Sequence, residues 1–128
     1  MLKKVATVLL ATLSAASIAA VNAPSASAAT YTELKFASKL LTSAHLWLND
    51  QTRAIHAEGR GLRPGWIVRL DIGEGYPGRK SITATATRAT ASLSTRPHRE
   101  NYTSYSACAG DPVLNGPFVC TRFHYHRT

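Results

Sequence analysis

The chain predicts an all-β domain, a small antiparallel sandwich of about seven short strands held by one disulfide. Three observations lead there. Apolar and polar residues alternate with period two through most of the sequence beyond residue 41. Clusters of Gly, Pro and Asn punctuate that alternation at intervals of roughly 8–12 residues, the spacing of sandwich turns. Only two cysteines occur, Cys108 and Cys120, close together in the sequence. A small closed barrel would show the same pattern and is the alternative architecture.

The N-terminus predicts an oxidising destination. Lys3 and Lys4 precede an uncharged apolar run from Val5 to Val21, and "APSASAA" follows with Ala26 and Ala28 at the small-residue positions of a cleavage site. Residues 1–28 therefore read as a secretory signal peptide of bacterial type, with the protein secreted to the extracellular space. The run is nearly long enough to anchor the chain in a membrane, but its Ala, Ser and Thr content and the cleavage site favour removal. No transmembrane segment is expected after cleavage. Outside the cell two cysteines predict a Cys108–Cys120 disulfide.

Charge narrows the partners. The chain carries 15 Lys and Arg against 7 Asp and Glu, a formal net charge of +8 that falls to +6 once Lys3 and Lys4 are removed. Such a surface attracts anionic polymers, cell surfaces or acidic proteins.

Element by element, residues 29–41 form an N-terminal arm or edge strand, in which Leu34, Phe36 and Leu41 make no clean stripe. The sandwich itself occupies 42–128. "TSAHLWLN" turns Ala44, Leu46 and Leu48 to the core, Asn49 to Gln51 turn the chain, and a return strand runs from Thr52 to Glu58. "GRGLRPG" reads as a loop. "WIVRLDI" sends Trp66, Val68, Leu70 and Ile72 inward. "SITATATRATASLST" is long for one strand, so a bend or bulge is expected near Arg88. "YTSYSACA" and "FVCTRFHYHR" complete the sheet as a final hairpin. With Tyr102, Tyr105 and Ala107 leading into a last strand, it resembles the last hairpin of immunoglobulin-like or fibronectin-type domains. Strict alternation along that strand would turn Phe123 and Tyr125 inward. Arg122, His124 and His126 would then point outward, beside the disulfide.

No motif names a reaction. His124 and His126 at alternate positions could face one metal ion, but no third ligand stands at a known spacing, so neither metal nor cofactor is expected. A hydrolase, nuclease-like, would draw on Arg96, His98, Glu100, His124 and His126, which supply a phosphate clamp and proton-transfer groups. A membrane-active antimicrobial protein would fit the charge but needs an amphipathic helix that the sequence lacks. The leading expectation is a monomeric, non-enzymatic binding protein. Its contacts would be the arginines and tyrosine of the Gly- and Pro-bearing loops: Arg60, Arg63, Tyr76, Arg79, Arg96 and Arg99.

Overall fold

Two antiparallel sheets pack face to face in a computed structural model that describes residues 29–73 and 80–127. The expected signal peptide, Tyr76 and Arg79 lie outside the described residues. The strands are β1 (Tyr31–Lys39), β2 (Thr42–Asn49), β3 (Ile55–Leu62), β4 (Ile67–Ile72) and β5 (Lys80–Thr85). They continue with β6 (Thr90–Ser94), β7 (Thr103–Gly110), β8 (Phe118–Cys120) and β9 (His124–His126). One sheet runs β1-β2-β3-β6; the other runs β9-β7-β4-β5, with β8 also paired to β7. The architecture is a sandwich and not a closed barrel. Its order differs from that of immunoglobulin constant domains, because the first three strands are sequential neighbours.

The core lies between the sheets and is drawn from the inward parity of four central strands. Leu46, Ile55, Ala57, Val68, Leu70, Tyr105 and Ala107 are all fully buried there. Trp66, Ile82 and Leu93 pack against its edge. The Cys108–Cys120 disulfide is formed and joins β7 to β8 at directly opposed positions.

Three local departures from the expected pattern have physical causes. The first is at the glycines of "GRG". Gly59 and Gly61 do not turn the chain but belong to β3. A Cβ on Gly59 would stand 3.0 Å from the Ala109 Cβ and 3.1 Å from that of Val68, so the missing side chain lets the sheets approach. The return strand is displaced with them. It begins at Ile55, after a turn in which the Asn49 side chain accepts hydrogen bonds from the Gln51 and Thr52 amides.

The second departure lies at the bend near Arg88. The chain here does not kink within one strand but leaves β5 for the opposite sheet, where it resumes as β6. Ala86 is the pivot, buried and bonded through its amide to the Trp66 carbonyl.

The third departure is in the last strand, and it reverses the expected orientation of the histidines. Cys120 pairs with Cys108, and Thr121 still bonds to Ala107, but His124 pairs with Tyr105 and His126 with Thr103. One extra residue has entered the C-terminal strand between Thr121 and His124, and a one-residue shift exchanges the faces. His124 and His126 therefore lie on the core side, with His126 only 1% exposed, while Tyr125 is 55% exposed. Phe123 sits half-buried at the shift. The disulfide stays on the opposite face of that sheet, where the Arg69 guanidinium approaches Cys108 Sγ at 3.5 Å.

Candidate binding surface

Two clusters of polar and aromatic groups stand out, one at the end of the sandwich and one on an outer face. The end cluster gathers several residues singled out from the sequence. His98 and His126 flank Tyr105 at ring-centroid distances of 5.9 Å each, and His124 lies 6.3 Å from His126. His98 Nδ1 meets the Tyr105 hydroxyl at 2.9 Å, and Glu100 takes an ion pair from Lys80 at 3.2 Å. His126 Nε2 donates to the Arg53 carbonyl at 3.1 Å, so that nitrogen carries the proton. Burial lowers the pKa of both His124 and His126, and neighbouring positive charge adds to it; at His126 the hydrogen bond to the Arg53 carbonyl opposes this shift without cancelling it. Burial and the Glu100 carboxylate push the Tyr105 phenol up to about 12. His126, bonded to the Arg53 backbone, and His98, bonded to the core Tyr105, hold the end of the sandwich together. Arg96 and Arg99 are exposed on the loop that passes this cluster. Among the described residues no group of three or more His, Cys, Asp or Glu side chains is arranged to hold a metal ion.

The outer face of the β1-β2-β3-β6 sheet is built differently. On β2 the parity that buries Ala44, Leu46 and Leu48 turns Ser43, His45 and Trp47 outward. On β3 the same rule turns out His56, Glu58 and Arg60. Cross-strand register sets Trp47 beside His56, His45 beside Glu58 and Ser43 beside Arg60. On β1 a bulge at Leu34, between Glu33 and Lys35, changes the parity so that Phe36 joins Tyr31 and Glu33 on this face. The bulge explains why β1 shows no stripe in the sequence.

Glu58 is the hub of this face. Its carboxylate accepts hydrogen bonds from Trp47 Nε1 at 2.8 Å, from an Arg60 terminal nitrogen at 3.1 Å and from the Ser92 hydroxyl. Burial alone would raise its pKa, but these three donors outweigh it and hold the group at about 2. Trp47 and Arg60 are thereby locked in orientation. Tyr31 meets His56 edge-on at 5.4 Å, and burial lowers the His56 pKa despite the nearby Glu58 charge. Tyr31, Trp47, His56, Glu58, Arg60 and Pro97 line an open cleft of about 660 Å³.

Beside the cleft, His45 is stacked between Phe36 at 6.1 Å and Trp47 at 6.4 Å. Its Nε2 meets the Ser43 hydroxyl at 2.7 Å and its Nδ1 meets the Glu33 carboxylate. Serine, base and acid stand here in the order used by nucleophilic hydrolases. The surroundings do not suit acyl transfer. His45 is 7% exposed beneath the two rings, and β2 is paired on both sides at Ser43, so the ladder already uses the backbone there. The network ties β1 to β2 and fixes the rim of the aromatic face.

Of the arginines and tyrosine expected to bind, Arg60 lies on this cleft. Arg63 covers the Trp66 ring at 5.8 Å at the far end of β3. Tyr31, Trp47 and His56 were not among the expected contacts. Outward tryptophan parity in "HLWLN" was the available signal, since a tryptophan opposite a continuous aliphatic stripe must face away from the core. No protein-family model, curated protein or solved structure matches the chain.

The lowered pKa values predict two acid transitions. A histidine neutral in the fold but titrating near 6.5 when unfolded favours unfolding as pH drops below that value. His56, His124 and His126 all act in this sense, so stability should begin to fall below about pH 6.5. Glu58, held at about 2 against an ordinary 4.5, adds stability above pH 4.5 that is lost as pH falls towards 2. For a partly solvated carboxylate this amounts to about 1–3 kcal/mol. Urea midpoints from pH 8 to pH 3 should decline in both ranges, and Glu58→Gln should flatten only the lower one. A midpoint constant from pH 8 to pH 5 would contradict the assigned neutral histidines.

Proposed function

We propose that the protein is a small secreted, cationic, non-enzymatic binding protein that takes an anionic, sugar-containing polymer on the outer face of the β1-β2-β3-β6 sheet. One observation carries the reading. The Trp47, Tyr31 and His56 rings line an open cleft together with the Glu58–Arg60 pair. Aromatic faces stack on the apolar C–H faces of sugar rings. Asn49 and Arg60 offer polar contacts at the edge, and Arg60 pairs with an anionic substituent. Glu58 itself accepts three hydrogen bonds from its own neighbours and repels an anion, so its part is to present Trp47 and Arg60 rather than to touch the ligand. The net charge of +6 expected for the exported form steers an anionic chain towards this surface.

Polygalacturonate, with a carboxylate on each sugar, and neutral dextran are suitable probes. Tryptophan fluorescence should report binding of the first, weakening as salt rises. Trp47→Ala should weaken binding at least tenfold and Arg60→Gln should reduce its salt dependence. Unchanged affinity in Trp47→Ala would remove the cleft from the binding surface. Equal binding of dextran would discard the anionic ligand.

A further inference from the structure

At the end of the sandwich where Arg63 lies, two unrelated turns expose aliphatic side chains that the core does not use. The β1–β2 turn presents Leu40 and Leu41, 81% and 92% exposed. The β7–β8 loop presents Val113 and Leu114, 69% and 70% exposed. Leu40, Leu41, Trp66 and Pro117 line a shared hollow of about 830 Å³, so the two turns converge.

Both turns place leucine where the backbone disfavours it. Leu40 has φ 58° and Leu114 has φ 65°, in the left-handed region that suits Gly or Asn. A turn selected only for shape would carry one of those residues. Leucine here adds backbone strain while its side chain stays largely exposed, an observation that motivates a contact outside the chain.

Among the described residues the exposed charges on the segments framing this tip are positive, although the buried Asp111 also lines the hollow. Lys39, Arg63 and Arg88 are exposed on the segments that frame it. Arg88 is placed there by Ala86, which bonds to both Gly65 and Trp66. The acid of the region, Asp111, is buried and turned into its own loop, where its carboxylate accepts the Val113 amide at 3.0 Å.

We infer that this tip docks on an anionic lipid bilayer, with Leu40, Leu41, Val113 and Leu114 entering the interface and Lys39, Arg63 and Arg88 resting on the headgroups. Apolar tips below a cationic collar match the two layers of such a surface, and each leucine transferred from water strengthens the partition by roughly tenfold or more. A second copy of the chain is a poorer occupant, because its collar would bring like charges together. Docking at this tip leaves the aromatic cleft at the opposite end of β2 open to solvent.

The chain from Ala29 onward is sedimented with vesicles of phosphatidylglycerol and, separately, of phosphatidylcholine. Binding is expected on the first, reduced by salt, and weaker on the second. The double substitution Leu40→Asn, Leu41→Ser suits the left-handed turn and should not lower thermal melting, while weakening vesicle binding by roughly 100-fold or more. Trp47→Ala should leave vesicle binding as it is, which separates this surface from the proposed cleft. Three results would overturn the inference: wild type that fails to sediment with phosphatidylglycerol, a double variant that binds as wild type does, or a dimer in solution that the double substitution dissolves.

Discussion

Replacing Tyr105 by alanine is expected to cost about 3–5 kcal/mol, the range for emptying a large aromatic site in a core. Among the described residues Tyr105 is the largest side chain that is fully buried, and it stands in the middle of the sheet on β7, between β9 and β4. Its ring stands between His98 and His126, so its removal opens a void that both imidazoles border. Tyr105→Phe keeps the ring and loses the hydroxyl contact to His98, and should cost only about 1 kcal/mol. Phe123→Ala makes the informative comparison. Simple alternation along the last strand would put Phe123 deep in the core, but the ring is only half-buried at the register shift. Its loss should be well below that of Tyr105, roughly 1–2 kcal/mol for a partly buried apolar side chain. Urea denaturation of the three variants measures all of this. Phe123→Ala as damaging as Tyr105→Ala would mean that the last strand runs in unbroken register.

The sandwich and its staple were legible because they rest on signals that add along the chain. Ala44, Leu46 and Leu48, then Val68, Leu70 and Ile72, repeat the same alternation and are buried as it requires. What escaped were single-residue events. The bulge at Leu34 and the extra residue between Thr121 and His124 each reverse a strand's faces, and nothing in local composition marks them. Partner strands decide such insertions, through the register that buries the most apolar surface overall. Gly59 misled for a related reason. A glycine that makes room for Ala109 looks, in sequence, like a glycine that turns the chain. The candidate surface was half visible. His56, Glu58 and Arg60 alternate with buried neighbours, but Tyr31 reaches the cleft only through the pairing of β1 with β2.

Breaking the disulfide should have the other large effect. Cys108 and Cys120 are separated by 12 positions, and closing a loop of that size restricts the unfolded chain enough to contribute about 3 kcal/mol. The native side of the balance points the same way. Cys108 is 1% exposed beneath Arg69, whose guanidinium also binds Asp71 at 2.7 Å and lies over the Phe118 ring at 5.6 Å. The bridge thus holds β8, a strand of only three residues, against β7. Downstream of β8 the chain takes its extra residue and turns His124 and His126 inward, so the staple fixes the register immediately before the shift. Cys108→Ala with Cys120→Ala should therefore lower stability by about 2–5 kcal/mol. It should also loosen β9 before the rest of the sheet. Hydrogen exchange at Tyr125 and His126 would then quicken more than exchange at Leu46 or Leu70. Uniform quickening at all four amides would show instead that the bridge acts on the unfolded chain alone and that β9 keeps its register without it.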